Sequence, residues 1–251
     1  MTSFGGINHL KKAGKLTSTF YFKQFKVEDG RSTMKVCTDA VLLGAIVEVE
    51  HISNILEVGT GSGVIALIMA QRSEALIDAI EIDAESVDQA MENARNSPWQ
   101  KRIRIIHQSI QDYTQQTGKK YDLVISNPPY FSRSLKSHIE KRNISRHNDI
   151  LSFEELINCS IQLMSADASL WVILPMKECV EFLEIAERSG LFIHLKLNVF
   201  YKSGKKCQRI ILQFTKNAPL EINSRDLTIK NGDNTFTPGY KELTKELYID
   251  F

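Results

Sequence analysis

Residues 54–63 read N-I-L-E-V-G-T-G-S-G, so a short apolar strand runs directly into three glycines at alternate positions. We predict a buried strand over residues 55–58 and an amphipathic helix over residues 64–72. Glycines between a strand and a helix let the backbone turn sharply and approach a ligand closely. The stretch therefore predicts a strand–loop–helix unit whose loop contacts a ligand.

The same alternation of strand and helix continues along the chain. Strand patterns cover residues 76–82, 103–106, 121–126 and 168–174, and helix patterns cover residues 84–96, 153–164 and 176–189. Such alternation predicts a parallel sheet with helices on both faces. Two last strand patterns, residues 192–201 and 207–215, predict a terminal antiparallel hairpin. We expect an α/β, Rossmann-like fold with a seven-stranded, mostly parallel sheet.

The first fifty residues are interpreted as an N-terminal extension, and residues 51–251 as the main domain. Alternating residues 20–27 predict an edge strand or hairpin. Residues 39–47 predict a helix, with Thr38 or Asp39 as its cap.

Bulk properties exclude several classes of protein. With 43% hydrophobic and 24% charged residues, the composition is ordinary for a soluble globular protein. The sequence contains no apolar run of 18 residues and no secretory leader, which indicates a cytoplasmic protein without a membrane partner. Four widely separated cysteines predict reduced thiols, and neither cysteine nor histidine spacing suggests a metal site.

The glycine loop itself allows three interpretations. A dinucleotide fingerprint requires G-x-G-x-x-G, but Val64 stands where its third glycine should be, and the G-K-[ST] of a P-loop is absent. The spacing E-x-G-x-G-x-G is instead typical of S-adenosylmethionine (SAM) methyltransferases, whose product is S-adenosylhomocysteine. The cofactor-binding residues predicted from it are Glu57, Gly59, Gly61 and Gly63.

Two further strand ends are candidates for the same ligand. Glu81 lies about 20 residues after the loop, where an acid can accept hydrogen bonds from ribose hydroxyls. Asp83 is the alternative, but it falls where the next helix needs a cap. After the third strand, Ser109 and Ile110 are predicted to contact an adenine ring, in preference to Asp112; a purely structural loop is the competing interpretation.

The fourth strand ends in Asn127-Pro128-Pro129-Tyr130. The Asn127 amide oxygen and the Pro128 carbonyl can each accept a hydrogen bond from one NH2 group, and proline fixes the backbone in advance. Tyr130 offers a face on which a base can stack. A polar turn would explain the motif alone. Together with the cofactor loop, it predicts a catalytic site for methylation of a planar, nitrogen-bearing group. Asn127 is also predicted to be among the cofactor-binding residues.

Basic residues cluster three times although the formal net charge is only +1. One cluster lies near the N-terminus, one follows the candidate site, and one spans residues 196–209. Three clusters favour a polyanionic substrate. We predict an RNA-binding surface formed by Arg133, Lys136, Arg142 and Arg146.

These motifs resemble the bacterial tRNA1(Val) adenine-37 N6-methyltransferase family. The resemblance rests on F-K-Q-F-K-V at 22–27, M-K-V-C-T-D-A-V-L-L-G at 34–44, the glycine loop, S-P-W at 97–99, S-N-P-P-Y-F at 126–131, R-H at 146–147, L-S-F-E-E-L at 151–156 and Y-K-E-L-T-K-E-L-Y at 240–248.

The resemblance implies an enzyme that methylates N6 of adenine-37 in tRNA, with SAM as cofactor and no obligate protein partner. It also implies that Thr38 and Asp39 help to close the SAM pocket. A protein glutamine N5-methyltransferase is the nearest alternative, although such enzymes carry a larger N-terminal helical domain. A non-catalytic RNA-binding protein of the same fold is the other.

Overall fold

The computed structural model describes residues 8–12, 15–129 and 151–250. Its strands are β1 (Asn8–Lys12), β2 (Lys15–Tyr21), β3 (Lys26–Glu28), β4 (Asn54–Val58), β5 (Leu76–Glu81), β6 (Ile103–His107), β7 (Tyr121–Ser126), β8 (Met164–Pro175), β9 (Phe192–Lys202), β10 (Arg209–Thr215) and β11 (Asn223–Lys230). Its helices are α1 (Thr38–Ile46), α2 (Val64–Arg72), α3 (Ala84–Arg95), α4 (Ile110–Gln116), α5 (Phe153–Leu163), α6 (Cys179–Arg188) and α7 (Pro238–Thr244).

The main sheet has eight strands in the order β11-β9-β10-β8-β7-β4-β5-β6. Only β10 runs against the others, because it pairs antiparallel with both β8 and β9, whereas β11 pairs parallel with β9. The predicted seven strands and their hairpin are therefore present. The hairpin is not terminal, however, because β11 extends the sheet beyond β9.

Alternate residues of the strands point into two separate apolar clusters, one on each face of the sheet. Ile55 and Ile125 belong to the cluster covered by α1, α2 and α7. Leu56 and Val124 belong to the cluster covered by α4, α5 and α6. Strands buried on both faces are nearly continuously apolar, which explains the strong strand signal in the sequence.

The N-terminal part forms its own small sheet, in the order β1-β2-β3, followed by α1. Helix α1 packs tightly on α2: a Cβ added to Gly44 would lie 2.9 Å from Ile68 Cγ2. The predicted cap of α1 was wrong. Cys37 is the N-cap residue, and no side chain caps the helix there. No helix in the described ranges is long and apolar enough to cross a membrane.

Candidate active site

The strand register brings three of the predicted motifs together at the carboxyl ends of neighbouring strands, which form one edge of the sheet. Val58, the last residue of β4, lies opposite Ile80 of β5 on one side and Ser126 of β7 on the other. The Ser126 hydroxyl donates to the Val58 carbonyl at 2.8 Å. Asn127 follows β7, and Glu81 is the last residue of β5. Because neighbouring strands are about 4.8 Å apart, these two strands are separated by about 10 Å, with β4 and its glycine loop between them.

The glycine loop turns over the ends of β4 and β5. Gly59 and Thr60 both donate backbone hydrogen bonds to the Ile80 carbonyl, at 2.9 and 3.1 Å. Gly63 is the N-cap residue of α2 with φ of 83°, in the left-handed region that favours glycine. A Cβ added to Gly59 would meet no atom within 4 Å, so the loop borders open space at this position.

Glu81 is almost fully buried, and its carboxylate accepts a hydrogen bond from the glycine loop. Oε2 accepts the Gly61 N–H at 2.9 Å, while Oε1 accepts the N–H groups of Ile82 and Asp83 at 2.9 and 3.0 Å. A carboxylate has about four acceptor positions. One position on Oε2 therefore remains for a ligand hydroxyl.

Asp83 accepts the Ser86 N–H at 2.9 Å and is the N-cap residue of α3, as the sequence predicted. The Asp83 carboxylate therefore has a structural role at the start of α3.

Glu57 is buried beneath the loop. Burial raises the pKa of its carboxyl to about 8, against the opposing effects of the Thr60 hydroxyl and the Ala66 amide. Thr60 Oγ1 donates to Oε2 at 2.7 Å, whereas Oε1 is buried without a hydrogen bond of ordinary geometry from any described residue. Burial therefore favours the protonated form of Glu57, whose carboxyl can donate a hydrogen bond.

Ser109 and Ile110 lie at the start of α4, a helix that the sequence patterns did not reveal. The Ser109 hydroxyl caps this helix by accepting the Asp112 N–H at 3.0 Å. Ile110 is buried in the apolar cluster between α4 and the sheet. Both residues follow β6, whose last residue, His107, lies opposite Glu81.

Asp39 is buried near the start of α1 and makes two strong contacts with the β9–β10 hairpin. It accepts hydrogen bonds from Arg209 Nε at 2.6 Å and from Tyr201 Oη at 2.5 Å. Burial, followed by the hydrogen bond and charge of Asp39, raises the pKa of Tyr201, against the opposing effect of the Arg209 charge. In the described structure the Asp39 carboxylate thus ties α1 to the hairpin, while Thr38 begins the helix.

Residues 29–36 form a segment, called the strap below, that lies against the glycine loop and α3. The sequence did not predict that this segment belongs to the site. Ser32 Oγ would lie 3.4 Å from a Cβ added to Gly61. The Thr33 N–H donates to Ser86 Oγ at 3.1 Å, and the Arg31 N–H donates to Gln89 at 3.3 Å. The strap carries no glycine-rich motif that would have marked it as part of a site.

Asn127 is buried, Pro128 is buried and Pro129 is exposed. The remaining predicted site residues, Tyr130, Arg133, Lys136, Arg142 and Arg146, lie outside the described residues. Within the described ranges, no group of three or more His, Cys, Asp or Glu side chains could hold a metal ion.

Comparison with known proteins identifies the family. A family model described as "Methyltransferase small domain" matches residues 32–173. A curated tRNA1(Val) (adenine(37)-N6)-methyltransferase from Trichodesmium erythraeum is 41% identical over 236 residues, covering 92% of this chain and 98% of the relative. A protein of the same name from Phocaeicola vulgatus is also 41% identical, covering 92% and 97%.

The chain belongs to this methyltransferase family. Solved structures show that the fold of a class I methyltransferase is shared more widely. A predicted O-methyltransferase from Agrobacterium tumefaciens superposes with a TM-score of 0.63 at 20% identity, covering 83% of this chain and 96% of that one. A ribosomal protein L11 methylase from Lactobacillus delbrueckii gives a TM-score of 0.54 at 18% identity, covering 75% and 83%.

Proposed function

We propose that this methyltransferase transfers a methyl group from SAM to the exocyclic N6 of an adenine in cytoplasmic tRNA, the reaction for which its relatives are named. The observation that carries the proposal is the position of Asn127. Asn127 directly follows β7, whose last residue, Ser126, lies opposite Val58 at the end of β4, where the glycine loop begins. Relatives 41% identical over nearly their whole length support adenine-37 of tRNA1(Val) as the target.

The residues at this edge of the sheet fit SAM. Open space at Gly59 gives room for a ligand against the loop backbone. The remaining acceptor position of Glu81 suits a ribose hydroxyl, and the exposed side chain of Ile82 beside it offers an apolar surface for the adenine ring. When bound, SAM supplies a methyl group on a positively charged sulfur, which is a good leaving group.

The protein's own contribution is to orient the accepting nitrogen. The lone pair of an adenine N6 is delocalised into the ring, which makes the free amine a poor nucleophile. The Asn127 amide oxygen and the Pro128 carbonyl can accept the two N6 hydrogens, which favours a pyramidal nitrogen with its lone pair available. Fixing that nitrogen in the direction of attack gives the rate advantage of an intramolecular reaction.

No strong base is needed in this mechanism, because the methylated nitrogen becomes acidic and can release its proton to water. Proline residues on both sides of the carbonyl keep the acceptors in place before the substrate arrives. An anticodon-loop adenine is unpaired, so placing it in the site costs less free energy than flipping a base out of a duplex.

The proposal is tested by incubating the purified protein with labelled SAM and total tRNA, then digesting the RNA to nucleosides. We expect label in N6-methyladenosine. Parallel incubation with release factors examines the glutamine alternative: label in protein but not in RNA would replace the proposal with that activity. Absence of label from both would support a non-catalytic RNA-binding protein.

A further inference from the structure

The β9–β10 turn carries two lysines at the same edge of the sheet as the candidate active site. We propose that Lys205 and Lys206 form a phosphate-binding surface for the RNA substrate, called the hairpin surface below. This inference rests on the proposed function, and it assigns a binding role to residues outside the basic segment that follows the NPPY motif.

Strand direction places the hairpin surface beside the site. β9 runs parallel to β8 and ends at Lys202, and β10 begins at Arg209, which lies opposite Pro175 at the end of β8. β8 in turn pairs with β7, where Ser126 lies opposite Val172. β10 and β7 are therefore two strand spacings apart, about 10 Å, at one edge of the sheet.

At the carboxyl ends of the strands, the residues proposed to bind the cofactor lie on one side of Asn127, which leaves the other side for the substrate. The glycine loop follows β4 and Glu81 ends β5, and both lie on one side of Asn127. A substrate that reaches Asn127 must therefore approach largely from the other side, over the ends of β8 and β10. The strand order gives the hairpin surface that position.

The turn is held in one conformation from three directions. The Lys205 N–H closes the turn on the Lys202 carbonyl at 3.1 Å. The Ser203 N–H donates to the Lys230 carbonyl of β11 at 2.9 Å, and the Met176 N–H after β8 donates to the Gln208 carbonyl at 3.1 Å. Because the backbone is anchored, less conformational entropy is lost when a ligand binds than with a mobile loop.

The side chains of the two lysines are exposed. Among the described residues, no acidic side chain pairs with either of the two lysines. Nearby cations differ in this respect: Arg209 pairs with Asp39 at 2.6 Å, and Lys177 lies 3.3 Å from Glu178.

Met176 is 40% exposed beside the turn and adds an apolar surface. A fixed pair of lysines next to an exposed apolar side chain matches an RNA segment that presents both phosphates and unstacked bases.

The test compares two double variants that each remove two positive charges. Lys205→Ala with Lys206→Ala alters the hairpin surface. Lys101→Ala with Arg104→Ala is the matched control, because both residues are exposed and lie at or before β6, the far edge strand of the sheet. Binding of total tRNA is measured by fluorescence anisotropy across a range of salt concentrations, alongside SAM affinity and the free energy of unfolding.

We expect the hairpin variant to bind tRNA about 10-fold more weakly, with a salt dependence lower in slope by about 1.5–2, while the control stays within about twofold of wild type. SAM affinity and stability should not change in either variant. Equal tRNA affinity and salt slope in both double variants would overturn the inference. Because the readout is binding, a wild-type protein that binds tRNA at the hairpin surface but transfers no methyl group would refute the proposed function alone.

Discussion

The hydrogen bond from the Gly61 N–H to the Glu81 carboxylate allows us to predict the size of a mutational effect from the structure. In Glu81→Gln the side chain keeps its shape, but only one terminal atom remains a hydrogen-bond acceptor. The best arrangement retains the N–H groups of Ile82 and Asp83 on the amide oxygen and turns the NH2 group towards the Gly61 N–H. One buried bond to a charged acceptor is then lost and a buried donor is left without a partner.

Hydrogen bonds to charged groups contribute about 1.5–3 kcal/mol, and the two retained bonds weaken when the charge is removed. We therefore expect Glu81→Gln to lower the free energy of unfolding by about 2–4 kcal/mol and to weaken SAM binding, because the loop loses its fixed geometry. Urea denaturation and isothermal titration calorimetry measure the two effects.

Asp83→Asn is the matched control for this experiment. It also replaces a carboxylate by an amide, but asparagine caps helices as well as aspartate does, so stability should change by less than about 0.5 kcal/mol. If Glu81→Gln kept the stability and SAM affinity of wild type, the role given to the Glu81–Gly61 hydrogen bond would be refuted. A loss of SAM affinity in Asp83→Asn instead would transfer the ribose role to Asp83.

Two further substitutions examine the packing of α1 on α2 and the buried carboxyl of Glu57. Gly44→Ala places a methyl group 2.9 Å from Ile68 Cγ2, and we expect overpacking to outweigh the better helix propensity of alanine and lower stability by about 1–2 kcal/mol; an unchanged or higher Tm would contradict the tight α1–α2 contact. Glu57→Gln should remove a pH dependence. Because the pKa of Glu57 is raised to about 8 in the folded protein but is ordinary when unfolded, wild type is most stable below about pH 4.5 with respect to this group and loses that stability as pH rises towards 8. Between pH 5 and 8, the free energy of unfolding of Glu57→Gln should therefore rise relative to that of wild type, by at most about 5 kcal/mol when measured by urea denaturation. A difference between the two proteins that stays constant with pH would contradict the raised pKa of Glu57.

Much of the fold could be predicted because the central strands are buried on both faces. Residues 55–58 and 121–126 are mostly apolar, and the structure contains β4 and β7 over nearly the same ranges. β11 was missed for the opposite reason. It is an edge strand whose first residues are exposed and polar, so its pairing with β9 depends on backbone contacts that composition does not reveal.

Side-chain roles were harder to predict than strands. The adenine contact of Ser109 stays a prediction. The sequence did not reveal that the Ser109 hydroxyl caps α4, a short helix with too few residues for a clear periodic pattern. Asp39 looked like a cap or a pocket residue, yet its partners are Arg209 and Tyr201, about 170 residues later in the chain. Contacts of this kind exist only once the strands have assembled.

Asn127 tests the central claim most directly, because the proposed mechanism assigns its amide oxygen to the substrate amine. Asn127→Ala removes the amide acceptor, and Asn127→Asp keeps an acceptor of the same shape. For both variants, SAM affinity is measured by calorimetry and the single-turnover rate of N6-methyladenosine formation is measured with tRNA. We predict that Asn127→Ala loses at least about 100-fold in rate, with SAM affinity within about threefold of wild type, and that Asn127→Asp loses less. A near-normal rate in Asn127→Ala, or weaker SAM binding with an unchanged rate at saturating SAM, would contradict the account.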